Sequence, residues 1–152
     1  MSAIQKSSER SECLAGTCQS TCSPVQTCFD SSSNLTWATT GAQVLSWYDA
    51  TALCASFGGS WRLPTLTELT KWPWVGAGTL ANSSCSVSTS YDSSRASTDP
   101  VNFVWSSTSY TGTVGGSGPT CPVYYQQASI DTGHLVGVAC PNLVWGQAIC
   151  VE

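Results

Sequence analysis

Residues 46–69, SWYDATALCASFGGSWRLPTLTEL, hold two helix-forming runs separated by a double glycine. In the first run Ser46 precedes Trp47, Ala50, Cys54 and Phe57, spaced as one face of an α-helix repeats. Asp49 stands at the third helical position as a capping partner, and Gly58-Gly59 stops the run. In the second run Thr65 and Glu68 form a capping box, Leu66 and Leu69 supply a buried face, and Pro73 ends it. Two short helices, the second entered through Pro64, are therefore expected side by side in sequence.

Strands flank these helices. Cys28-Phe29-Asp30, a serine-rich turn through Asn34 and Leu35-Thr36-Trp37 read as a strand or hairpin edge. Downstream, Val123 to Ile130 and Leu135 to Ala139 read as strands around a turn at Asp131–His134, and Leu143 to Val151 as a last strand. Pairing of this last strand with the first would bring the chain ends together. Between Gly76 and Pro122 the chain is rich in Gly, Ser and Thr, and is expected to be a long loop region of functional interest. The fold class is α+β: two helices packed on small antiparallel sheets with a long loop, one domain over residues 28–152. Residues 1–27 form an N-terminal segment with a cysteine-rich knot, its charged first twelve residues suiting either a frayed terminus or the end of a stalk or pilin helix.

Composition narrows the setting. Nine cysteines in 152 residues point to an oxidising compartment, where they serve as cross-links. Zinc is the competing use, but no CxxC pair occurs and there is a single histidine. Charged residues make up only 9% of the chain while Ser and Thr together number 43, so hydroxyls carry its solubility. The net charge of −4 leaves no basic stripe for a phosphate backbone, which argues against nucleic acid as a partner. No apolar run is long enough to cross a bilayer, so no direct membrane insertion is expected of this chain.

A specific order of residues then stands out. Leu35-Thr36-Trp37, Trp47-Tyr48-Asp49-Ala50 to Cys54, Trp61-Arg62-Leu63-Pro64-Thr65 with Glu68-Leu69, Val104-Trp105-Ser106-Ser107-Thr108 and Ile149-Cys150-Val151 follow one another. Over roughly residues 28–152 this order resembles the Lcl C-terminal-like domain family, modules at the ends of bacterial surface and collagen-like proteins. The resemblance implies a C-type-lectin-like fold and, from the founding member, adhesion to sulfated glycans. It also implies a disulfide between Cys54 and Cys150, whose long loop would stabilise the fold by roughly 4 to 5 kcal/mol. A second bridge, Cys121 to Cys140, would tie together the strands flanking the Asp131 turn. Cys13, Cys18, Cys22, Cys28 and Cys85 then remain, an odd number, so one is free or links to another chain. Arg62 is expected to be architectural, its donors satisfied on carbonyls or a carboxylate. Ser106, Ser107 and Thr108 are expected to satisfy backbone groups at a strand-to-loop turn.

Catalysis finds little support. His134 lies in the expected hairpin turn, Asp92 and Asp99 lie in the long loop, and no serine has a histidine partner in a recognisable motif. The formylglycine-generating enzymes, a related superfamily, carry a similar Arg-Leu-Pro-Thr run on a much longer chain. No cofactor is expected. Calcium-dependent sugar binding would need acidic and amide motifs, of which only Cys140-Pro141-Asn142 has an echo here. The acidic balance also departs from sulfated-glycan binding, which calls for exposed Lys or Arg.

What remains is a recognition surface of aromatic faces, amides and hydroxyls. Trp74, Tyr91, Asn102 and Tyr110, on or beside the long loop, are the expected contacts for a host or environmental glycan or a surface protein. The expected function is thus an extracellular, non-catalytic, calcium-independent adhesion or ligand-recognition domain of a bacterial surface appendage. A structural subunit of a pilus-like filament, contacting other subunits, is the alternative.

Overall fold

Ser46 adopts an extended backbone and its hydroxyl accepts the Asp49 N–H at 3.1 Å, which starts helix α1, Trp47–Ser56. Past its end Gly58 and Gly59 have φ of 84° and 58°, the left-handed backbone that lets the chain reverse there. Helix α2, Leu66–Lys71, is started by a complete capping box. The Glu68 N–H donates to Thr65 Oγ1 at 3.2 Å, and the Thr65 N–H donates to Glu68 Oε2 at 2.6 Å. The computed structural model describes residues 26–39, 44–71, 79–81, 86–88, 94, 99–116, 118–129 and 136–152.

Around these helices the described strands form two three-stranded antiparallel sheets and a ribbon. Strands β1, Gln26–Asp30, and β2, Leu35–Thr39, make a hairpin whose second strand pairs with β8, Ile149–Val151, giving the order β1-β2-β8. Trp37 faces Val151 in that register, so the last strand does close on the first hairpin. Strands β3, Thr79–Ala81, and β4, Ser86–Ser88, form the ribbon. The second sheet has the order β5-β6-β7, with β5 at Phe103–Tyr110, β6 at Tyr124–Ser129 and β7 at Val136–Ala139. The architecture is α+β and disulfide-bonded, as the sequence indicates.

Three boundaries differ from expectation. β1 begins at Gln26, two residues before the expected start of the body. The region from 76 to 122 is not one loop, since it contains the β3-β4 ribbon and β5, whose first four residues are buried. Finally, residues 143–148 are not part of a continuous last strand. There the chain is held by single bridges instead: Leu45 exchanges hydrogen bonds with Trp145 and Gly146, and Gln147 with Phe103 and Trp105.

The core falls into two clusters. One packs Leu45, Ala50, Leu53 and Leu63 around Trp105; the other packs Leu69, Val104, Ala128, Ile149 and Val151 around Trp37. Both tryptophans are essentially inaccessible, and the Trp105 indole N–H donates to the Leu45 carbonyl at 2.8 Å, meeting the need of a buried polar atom. Cys54–Cys150 fastens α1 to β8 across 96 residues, and Cys121–Cys140 joins the segments leading into β6 and out of β7. Cys28 is disulfide-bonded as well. Cys13, Cys18, Cys22 and Cys85 lie outside the described residues.

The two tryptophan motifs meet in the middle of the fold. A register shift in β5 falls between Trp105 and Ser109, and its polar residues take up the freed backbone groups. Ser106 Oγ donates to the Gln126 carbonyl at 2.7 Å, the Ser107 N–H donates to the Pro64 carbonyl at 2.8 Å, and Thr108 Oγ1 accepts the Leu66 N–H at 2.9 Å. Trp-Ser-Ser-Thr is therefore the seat of α2, inside a strand and not at its end. Arg62 grips Glu68 through two hydrogen bonds of 2.8 and 2.9 Å and also donates to the Leu63 carbonyl. The Arg62 hydrogen bond holds the Glu68 carboxyl below the usual carboxylate range; partial burial opposes this, and the Thr65 N–H adds to it. Arg62 is half exposed, but its role is structural: it locks the Trp-Arg-Leu-Pro turn onto the first turn of α2.

Candidate functional site

Of the four residues expected to make the recognition surface, Asn102 and Tyr110 are among the described residues. Trp74 and Tyr91 lie outside the described residues, as do Pro73, Asp92, His134 and the Asp131 turn. Asn102 is described and fully buried, in a 3-10 turn ahead of β5 where its N–H donates to the Asp99 carbonyl at 2.8 Å. As folded it presents no atom to an external ligand, because this turn feeds directly into a core strand. Tyr110 is half-buried at the end of β5, opposite Tyr124, and its ring lies directly against the Gly112 backbone. It borders the exposed residues 111–116 and 118–120.

Among the described residues, Tyr48 on α1 is an exposed aromatic side chain beside a cleft, and its neighbour Trp47 sets its position. Trp47 is fixed on three sides: its N–H donates to the Pro141 carbonyl at 3.0 Å, and its indole N–H donates to the Ser106 carbonyl at 3.0 Å. Its ring stacks on Tyr125 with centroids 3.7 Å apart. With Trp47 so held, its neighbour Tyr48 leaves the buried face of α1 and is 57% exposed. It stands beside a cleft of about 280 Å³ whose other lining residues include Pro119, Thr120, Pro122, Pro141 and Asn142.

Both walls of that cleft are stiff. Cys121 and Cys140 line it and are bonded to each other, so the end of the long loop is clamped to the end of β7. Three prolines, Pro119, Pro122 and Pro141, fix φ at their own positions in the walls. Loss of conformational entropy on binding is therefore small, as preorganised sites require.

The lining offers an aromatic face, the hydroxyls of Tyr48 and Thr120, the amide of Asn142 and apolar proline rings, with no Asp, Glu, Lys, Arg or His. Such a surface can stack against a ring and exchange neutral hydrogen bonds with hydroxyl or amide groups. It does not provide the set of six to eight oxygen ligands that calcium takes. Among the described residues no group of three or more His, Cys, Asp or Glu side chains is placed to hold a metal ion.

Tyr48 was recoverable from the sequence by elimination. It follows Trp47 directly and falls off the 47, 50, 54, 57 spacing that marks the buried face. The prolines beside Cys121 and Cys140 are a second signal of a rigid wall.

No protein-family model, curated protein or solved structure matches the chain.

Proposed function

We propose that this chain is an extracellular, non-catalytic recognition domain of a bacterial surface appendage, with a C-type-lectin-like fold. It binds a neutral glycan without calcium, through the cleft beside Tyr48 at the C-terminal end of the long loop. The cleft is the observation that carries this reading: rigid, uncharged, and combining one exposed aromatic ring with hydroxyl and amide groups. Disulfides at Cys54–Cys150 and Cys121–Cys140 are compatible with life outside the cell. Among the described residues no helix is long and apolar enough to cross a membrane.

The motif order that resembles the Lcl C-terminal-like family supports the same class of function, while the uncharged cleft favours a ligand different from sulfated glycans. An array of neutral, acidic and sulfated glycans, probed with the oxidised chain in calcium and again in chelator, tests the proposal. Saturable binding to neutral glycans that survives chelation is expected. Binding that requires calcium, or that is confined to sulfated glycans, would overturn it, and no binding to any glycan would shift the ligand to a protein or another filament subunit.

A further inference from the structure

We propose that a second cavity, beside α2 and sharing no lining residue with the cleft, is a binding site for one uncharged sugar ring or similar polyol. It lies between the β1-β2 turn and α2, has a volume of about 340 Å³, and is lined by Asp30, Ser32, Ser33, Thr67, Glu68 and Lys71 over the apolar side chains of Leu35 and Trp37. That volume is at the small end of ligand pockets, roughly 300 Å³ and upward, which suits a single ring.

The hydrogen-bond inventory sets the ligand class. Asp30 is buried and gathers the turn around itself: Ser32 Oγ donates to both its oxygens at 2.8 and 2.9 Å, and Ser33 Oγ donates to Oδ2 at 2.5 Å. The Ser32 and Ser33 N–H groups add bonds of 3.1 and 3.2 Å. Each serine hydroxyl has thus donated its only proton inward and keeps its lone pairs as acceptors. Thr67 brings a hydroxyl that both donates and accepts, and the exposed Lys71 brings an ammonium donor. A mixture of acceptors and donors in one small cavity matches groups that do both, and sugar hydroxyls are such groups.

Charge leads to the same class. Asp30 and Glu68 are balanced by Lys71 and by Arg62, which is bonded to Glu68, so the cavity favours neither anions nor cations. Leu35, which is only partly buried, supplies apolar surface for the C–H face of a pyranose ring, while Trp37 lies inaccessible beneath it as part of the core. The turn and the helix are both internally bonded before a ligand arrives, so the site is preorganised. A ligand of this size is expected to bind with Kd on the order of millimolar.

The test is a titration of the nitrogen-15-labelled, oxidised full chain with methyl glycosides of mannose, glucose, galactose and N-acetylglucosamine, up to about 50 mM. For at least one glycoside, saturable shifts are expected at the amides of Ser32, Ser33, Leu35, Thr67 and Lys71. Thr67→Phe, whose ring would fill the cavity from an exposed helix position, is expected to weaken them about tenfold or more, and Lys71→Met to weaken them less. Tyr48→Ala is expected to leave them unchanged. Shifts absent at those amides for every glycoside, or undiminished in a folded Thr67→Phe, would overturn the site. Shifts confined to the Tyr48 cleft would overturn it while sustaining the proposed function, so the two readings fail separately.

Discussion

Replacing Gly146 with alanine would place a methyl carbon 2.5 Å from Gln127 Nε2 and 3.1 Å from Cδ1 and Nε1 of Trp105. Neither neighbour is able to move aside cheaply. Gln127 is buried and its amide donates to the Trp145 carbonyl at 2.7 Å; Trp105 is inaccessible and its indole N–H donates to Leu45 at 2.8 Å. Overpacking of this kind costs about 1–3 kcal/mol, and a buried hydrogen bond broken in relieving it leaves a partner unsatisfied at a similar cost. Gly146→Ala is therefore expected to destabilise the fold by about 2–5 kcal/mol, a large part of the roughly 5–15 kcal/mol of an ordinary domain. Urea unfolding followed by tryptophan fluorescence measures the loss. Gly115→Ala is the matched control, because a Cβ there meets nothing within 4 Å, and its effect is expected to stay within about 0.5 kcal/mol. A Gly146→Ala variant as stable as the control would refute the rigidity assigned to the Trp105 core and to the segment from 141 to 147.

Ser46→Ala removes the cap of α1 and is expected to cost about 1 kcal/mol in the same unfolding assay. Because Glu68 is held below the usual carboxylate range in the folded state, its pairing stabilises the fold above the unfolded value of about 4.3, and that contribution is lost as pH falls through the lowered folded value. Unfolding measured from pH 7 downward should show this acid limb, and Glu68→Gln should flatten it. The Cys54–Cys150 and Cys121–Cys140 disulfides should differ in accessibility, since Cys54 and Cys150 are fully buried whereas Cys121 is partly exposed at the cleft. Under native conditions, mild reductant and an alkylating agent are expected to modify Cys121 and Cys140 first, read by peptide mass mapping. Chain-entropy arithmetic makes the 96-residue bridge worth about 4.7 kcal/mol and the 19-residue bridge about 3.2 kcal/mol, so selective reduction leaves the larger constraint in place.

Both helices could be read from the sequence because their start signals are local: Ser46 with Asp49, and Thr65 with Glu68, each carry their partner three residues away. Strands β6 and β7 were readable for a similar reason, and the Cys54–Cys150 and Cys121–Cys140 pairings are both present. What escaped is set by contacts distant in sequence. Residues 143–148 have strand-like composition, yet Leu45 and Phe103 claim their backbone groups one at a time, and no local pattern announces that. β5 was hidden within Gly- and Ser-rich surroundings, because the hydroxyls of Ser106 and Thr108 act as backbone partners for Gln126 and Leu66. At the candidate site, Asn102 was expected beside a loop but is buried ahead of β5, while Tyr48, off the buried spacing of α1, was not singled out as a contact and is turned outward.

The central claim, recognition at the Tyr48 cleft, is tested most directly by calorimetry with the best neutral glycan, in chelator, on the wild type, Tyr48→Ala and Phe29→Ala. Phe29 is comparably exposed, at 52%, but lies on β1 and does not line the cleft. The account predicts at least a tenfold loss of affinity for Tyr48→Ala, about 1.4 kcal/mol, with Phe29→Ala unchanged. Equal affinity for the wild type and a folded Tyr48→Ala, or an equal loss in both variants, would contradict it.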